Sequence, residues 1–286
     1  MLLNASGCLD ALTAPDVARS LDGFVTKTVT TEPRDGNLPV RIAETDVGML
    51  NSIGLANPGI ARFLSRHLPQ LARLEVPLWV SVGGFAADEY ADICSQLDDH
   101  AEVTAIELNV SCPNVASPAQ GTAQIVASAR LATRKPLWAK LSAAVPDVAE
   151  LARAAQDAGA DGLSLVNTVR GLALDRQTLT PVLAPEVGGL SGPALKPIAL
   201  AAVHACYRAT RLPIVGMGGV QFGRDVLDLV AVGARHVALG TILFADPDAA
   251  SRIRHELADE LAARGYTELD DAYAIAHDDV LSTKQT

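Results

Sequence analysis

Short apolar, β-rich runs alternate with longer stretches in which apolar residues recur about every 3.6 residues, almost to the C-terminus. Strands are predicted at Leu2–Ser6, Gly23–Thr28, Pro77–Gly83, Ala105–Ser111, Leu137–Ser142, Gly162–Thr168, Pro213–Gly219 and His236–Thr241, eight in all. The intervening segments Ala119–Ala132, Val148–Ala158 and Gly223–Val232 read as amphipathic helices. Eight β/α units in one chain predict an α/β fold, a (β/α)8 TIM barrel spanning residues 1–286 as a single domain. A doubly wound open sheet is the alternative. It would place a G-x-G-x-x-G turn after its first strand, and the glycine-rich run Gly216-Met217-Gly218-Gly219 continues instead with Val220-Gln221. Two connections are long, 29–76 and 169–212, and both follow strands toward the C-terminal face, where barrels carry their working loops.

Composition narrows the function classes. The 286 residues are 49% hydrophobic and 20% charged, enough for one large core. No apolar run approaches the roughly 18 residues of a membrane span. The N-terminus, Met1 to Gly7, lacks the charged and apolar regions of a secretion signal. The net charge of −10, from 23 Lys+Arg against 33 Asp+Glu, argues against a nucleic-acid partner. Cys8, Cys94, Cys112 and Cys206 are scattered without a C-x-x-C pair, so neither zinc nor an iron–sulfur cluster is expected, and a reducing, cytoplasmic setting fits.

Candidate chemistry appears where polar residues interrupt apolar strands. Ile106–Asn114 reads I-E-L-N-V-S-C-P-N. It starts as a strand and ends in a Pro-locked turn that gathers Asn109, Ser111, Cys112 and Asn114. Two neutral amides there can grip a planar polar ring beside a thiol that can take a proton; a capped strand end with a buried cysteine is the plainer reading. Lys27, Ser81, Glu107, Lys140 and Asn167 likewise stand inside apolar runs. Barrel interiors normally fill with branched apolar residues. Glu107 reads as half of an ion pair with a lysine, whereas Lys27 and Lys140, near strand ends, read as facing a ligand. Two cations and several amides around one mouth suit an anionic, electron-rich ligand. Gly216-Met217-Gly218-Gly219 and Leu239-Gly240-Thr241 close the last two predicted strands, the recurrent phosphate site of such barrels; tight βα turns would look the same.

With these residues in view the chain resembles the dihydroorotate dehydrogenases. The resemblance runs from Asn4-Ala5-Ser6-Gly7 to about Asp246-Pro247. It rests on Val25-Thr26-Lys27-Thr28, Glu32-Pro33-Arg34-Asp35-Gly36-Asn37, Met49-Leu50-Asn51-Ser52-Ile53-Gly54-Leu55, Asn109-Val110-Ser111-Cys112-Pro113-Asn114, Ala139-Lys140-Leu141-Ser142, Leu165-Val166-Asn167-Thr168 and Gly188-Gly189-Leu190-Ser191-Gly192-Pro193. Cys112, where the membrane-associated class has serine, resembles the soluble class, and Met49-Leu50-Asn51, Asn167-Thr168 and Gly189-Leu190-Ser191-Gly192 look most like its NAD-linked type B catalytic subunit. The resemblance implies one FMN per chain and oxidation of (S)-dihydroorotate to orotate in pyrimidine biosynthesis. It also implies a homodimer, or a heterotetramer with a subunit that carries FAD and a [2Fe–2S] cluster. The fumarate-using homodimer and a related flavin barrel acting on another dihydropyrimidine are the alternatives.

By the same resemblance Cys112 is the base. Lys27, Asn51, Asn109, Asn114, Asn167 and Thr168 grip the substrate, with Ser52 and the backbone of Ile53, Gly54 and Leu55. Ser6, Lys27, Thr28, Ser81, Asn109, Lys140, Val166 and Gly192 line the flavin; Gly218, Gly219, Gly240 and Thr241 hold its phosphate end. No metal is implied. This chain departs from the pattern at Ser81, where the NAD-linked type has Asn, and after Asn114, where the loop Val115–Gly121 is shorter.

Overall fold

The structure, a computed structural model, describes residues 1–110 and 117–277. Twelve strands occur among them: β1 (Leu2–Asn4), β2 (Phe24–Val25), β3 (Ile42–Thr45), β4 (Gly48–Asn51), β5 (Leu78–Val82), β6 (Val103–Asn109), β7 (Leu137–Ser142), β8 (Gly162–Asn167), β9 (Val169–Gly171), β10 (Gly188–Ser191), β11 (Ile214–Met217) and β12 (His236–Leu239). Eight of them form one parallel sheet in the order β1-β12-β11-β8-β7-β6-β5-β2. A parallel bridge between Leu3 and Gly23 joins its two edges, so the sheet closes into the expected (β/α)8 barrel. All eight predicted strands are present, each within a few residues of its expected bounds.

The seam between β1 and β2 is too short for a full ladder, and a side chain completes it. Asn4, fully buried, donates from Nδ2 to the Val25 carbonyl at 2.7 Å and accepts from the Val25 amide on Oδ1 at 2.8 Å. The carboxamide thus copies a backbone peptide and leaves no buried group unpaired.

Barrel strands are covered on both faces, which is why β5 reads as a continuous buried run rather than an alternation. The outward residues pack under helices such as Val148–Asp157, whose buried stripe is Ala149, Leu151, Ala152 and Ala155 and whose start is capped by Asp147 accepting the Ala149 amide at 2.8 Å. The inward residues Leu3, Val25, Trp79, Ala105, Trp138, Val215, Met217 and Ala238 make a separate plug inside the barrel. Trp79 and Trp138 meet there with ring centroids 4.7 Å apart. Gly162 makes room for them: a Cβ on it would lie 2.4 Å from the Trp138 ring. Gly162→Ala is therefore expected to cost about 1–3 kcal/mol of stability through overpacking. Urea unfolding checks this, as a lower midpoint at unchanged slope.

The two long connections hold a feature that the hydrophobic pattern does not announce. They pair with each other into a four-stranded antiparallel sheet of order β3-β4-β10-β9. Leu50 stands opposite Leu190, and Asn51 opposite Gly189. These strands are three or four residues long and all but β3 contain glycine, so neither alternation nor β-propensity marks them. Their pairing walls one side of the barrel mouth.

Candidate functional site

A cavity of about 890 Å3 opens at the C-terminal ends of the barrel strands. Each wall comes from a strand end or from the loop behind it. Ser6 and Gly7 follow β1, Lys27 and Thr28 follow β2, Asn109 ends β6, Lys140 lies in β7, Val166 and Asn167 end β8, and the glycine runs follow β11 and β12. The small sheet adds Gly48, Met49 and Asn51 from β4, with Ser191 from β10.

The amide residues form one connected group. Asn167 donates from Nδ2 to Asn109 Oδ1 at 3.2 Å, and its own Oδ1 accepts the Thr168 amide at 2.9 Å. The buried Tyr90 hydroxyl donates to the Asn109 carbonyl at 2.7 Å, which fixes the strand end that carries Asn109. Asn51 donates from Nδ2 to the Gly189 carbonyl at 3.3 Å, tying β4 to β10 across the cavity wall. The loop beyond β4 is held in an unusual conformation. Gly54 has φ +71° and Leu55 φ +56°. The left-handed region suits glycine, and for leucine it costs about 1–3 kcal/mol, a strain that clusters at binding sites. The loop is clamped by Asn37 donating from its amide to the Ile53 carbonyl at 3.0 Å and by Asn57 Nδ2 donating to the Leu55 carbonyl at 2.7 Å.

Two ammonium groups, Lys27 and Lys140, charge the barrel side of the cavity, and the carboxylates Glu44 and Asp46 line its opposite wall. Burial lowers the Lys27 ammonium below the ordinary lysine range; the Lys140 charge adds to that fall and Cys8 opposes it. Lys140, 6% exposed, pairs with Glu107, 1% exposed, at 3.5 Å between Nζ and Oε1. Cys8 lines the cavity too, and burial pushes its thiol up, against the pull of Lys140 and Lys27. A thiol so raised is a poor base.

Most residues expected from the sequence meet in this one cavity. Lys27, Asn51, Ile53, Gly54, Leu55, Asn109, Asn167 and Thr168 line it, as do Ser6, Thr28, Lys140, Val166, Gly192, Gly218, Gly219, Gly240 and Thr241. Two expected residues stand back from it. Ser52 is bound by Asn37, whose Nδ2 donates to the serine Oγ at 3.0 Å. Ser81 is fully buried beneath Thr28, with 3.0 Å between the two hydroxyl oxygens. A serine is too short to pass Thr28, so Ser81 reaches the cavity only through that hydroxyl. Cys112 and Asn114 lie outside the described residues.

The residues present fit an FMN. Among the described residues the amides of Gly218, Gly219 and Thr241 donate to no carbonyl outside the regular elements, which leaves backbone N–H groups for a phosphate. A Cβ on Gly240 would stand in the cavity itself, 3.7 Å from Ala5 and 3.8 Å from the Cys8 sulfur. Above this cradle Thr241 Oγ1 donates to Ser191 Oγ at 2.9 Å, linking the barrel to the small sheet. Sequence reading did not single out Cys8, Glu44, Asp46 or Ser191 as lining residues. Glu44 and Asp46 belong to the unannounced sheet, and no local pattern points to them; Cys8 directly follows the Asn4–Gly7 motif and was within reach.

The family model described as "Dihydroorotate dehydrogenase" matches residues 1–261. The chain belongs to the dihydroorotate dehydrogenase family. A relative from Desulforudis audaxviator, named "Dihydroorotate dehydrogenase B (NAD(+)), catalytic subunit", is 43% identical over 90% of this chain and 86% of its own. One of the same name from Bacillus pumilus is 42% identical over 88% of this chain and 83% of its own. A relative from Solibacter usitatus, 43% identical over 86% of this chain and 83% of its own, carries a provisional name of the A (fumarate) type. Among solved structures, a dihydroorotate dehydrogenase from Eimeria tenella in complex with ferulenol superposes with a TM-score of 0.82 at 21% identity, over 97% of this chain and 85% of its own, a likeness of fold. No helix among the described residues is long and apolar enough to cross a membrane.

Proposed function

We propose that this chain oxidises (S)-dihydroorotate to orotate with one bound FMN, as the catalytic subunit of an NAD-linked dihydroorotate dehydrogenase, the whole chain working as one barrel domain. The observation that carries the reading is the convergence of Lys27, Lys140 and the Asn51, Asn109 and Asn167 amides on one cavity that also exposes the glycine amides of its phosphate end. When bound, FMN supplies the acceptor for two electrons. The substrate loses a proton from C5 and a hydride from C6, and a C=C bond forms between those carbons. The C5 proton is α to a carbonyl, so its removal needs a base and donors for the charge that develops on oxygen. Cys112, which follows Asn109 in the sequence, is that base by the family resemblance. Asn51, Asn109 and Asn167 orient the planar ring without adding charge, and Lys27 offsets the substrate carboxylate. Lys140 stands at the floor of the cavity, where its charge favours electron-rich species.

The chain's physiological setting follows from the same reading: a cytoplasmic homodimer, or a heterotetramer with a subunit carrying FAD and a [2Fe–2S] cluster. The test is the visible spectrum of the purified chain under anaerobic conditions, before and after dihydroorotate. Bound FMN that bleaches on addition is expected. A colourless chain that takes up no added FMN, or one whose flavin stays oxidised with dihydroorotate, overturns the reading.

A further inference from the structure

The polar layer under the cavity floor holds a group that substrate and cofactor binding leave unused. Glu107 lies one strand from Lys140, does not line the cavity, and is 1% exposed. Its Oε1 stands 3.5 Å from the Lys140 Nζ and yet makes no hydrogen bond among the described residues. A buried carboxylate in that state is costly, and a well-packed apolar pair would hold the barrel at least as well. The layer below shows that the barrel can be filled so, since it is closed by the Trp79–Trp138 plug. The neighbouring Ser164, opposite Lys140 in register, also has a buried hydroxyl without a partner among the described residues. Packing and hydrogen bonding therefore leave the carboxylate unexplained; its position behind a cavity-lining cation explains it.

We infer that Glu107 is a positioning residue that holds the Lys140 ammonium at the cavity floor and offsets part of its charge, so that the reduced flavin is not held too strongly. The inference rests on the flavin reading above. A cavity with Lys27 and an uncompensated Lys140 would favour the anionic, reduced form of a bound flavin over the oxidised one. Such a site would accept electrons from dihydroorotate well and release them to the next acceptor badly. A fixed negative charge behind the lysine corrects that balance without occupying the site.

The experiment is an anaerobic redox titration of the holoenzyme against a reference dye, in wild type, Glu107→Gln, Lys140→Met and the double variant. Glu107→Gln is expected to shift the reduced-to-oxidised ratio of the flavin roughly tenfold toward reduced, the scale of one unit charge acting across a desolvated site. For a two-electron couple that is about 30 mV. In the Lys140→Met background the carboxylate no longer positions a cation at the cavity floor, so adding Glu107→Gln is expected to move the ratio by less than it does in wild type. An unchanged ratio in Glu107→Gln with FMN bound, or a shift toward oxidised, overturns the inference while leaving the flavin reading intact. A chain that takes up no FMN overturns both. A shift as large in the Lys140→Met background as in wild type overturns the pairing by itself.

Discussion

Replacing Cys112 by alanine is expected to slow reduction of the bound flavin by dihydroorotate roughly 10²- to 10⁴-fold, the usual share of a general base. An unperturbed thiol has a pKa of about 8.5, so only a few per cent is thiolate at neutral pH, and that fraction has to take the C5 proton while the neighbouring amides hold the ring. Cys8 is no substitute, because burial pushes its thiol up. Cys112→Ser is expected to keep some activity and to need higher pH, since a hydroxyl ionises far less readily. Anaerobic stopped-flow reduction across a pH series reads both variants. Near-wild-type rates in Cys112→Ala at neutral pH would show that the residue is structural only.

The second large effect concerns where the electrons go. The isolated chain is expected to reduce its flavin with dihydroorotate but to pass electrons to NAD poorly, and co-expression with a subunit carrying FAD and a [2Fe–2S] cluster is expected to restore NAD reduction. Such a cluster needs several thiolates at one place. Here Cys94 and Cys206 are buried in separate helices, Ala87–Asp98 and Lys196–Ala209, where burial raises each thiol to about 12. The sequence also lacks the glycine fingerprint of a dinucleotide fold. Steady-state assays with NAD and with fumarate, with and without the partner, decide the point. Efficient NAD reduction by the chain alone, or comparable turnover with fumarate, would favour the homodimeric alternative.

The barrel was legible because both of its signals are local. Strands such as Leu137–Ser142 are apolar runs bounded by turn residues, and helices such as Val148–Asp157 carry their own period and cap. Lys140 and Asn167 stood out because a polar residue inside such a run needs a reason. The pairing of Glu107 with Lys140 was expected in kind, and the structure supplies the partner. The small antiparallel sheet was not legible, since its strands are short, β4, β9 and β10 carry glycine, and the β4–β10 pairing joins segments far apart in sequence. With it went Glu44 and Asp46. Ser81 and Ser52 illustrate a different limit: a motif places a residue near a site, but whether a short side chain faces the cavity or sits behind Thr28 or Asn37 depends on depth, which sequence does not encode locally.

The wall formed by β4 and β10 has a kinetic meaning. The Asn51 side chain and the Gly189 carbonyl that it holds are 138 positions apart, and the intervening chain contains β5 to β8. A contact of such high order closes late, because the entropy of the open loop opposes it until the units between its ends have condensed. The small sheet is thus among the last parts to assemble, together with the barrel seam itself, where Leu2 meets Val237. It is also the part with the least independent core, so it can open by sub-global fluctuation while the barrel stays folded. Any ligand held by both barrel and sheet acts as the latch, and its affinity sets how long the site stays shut.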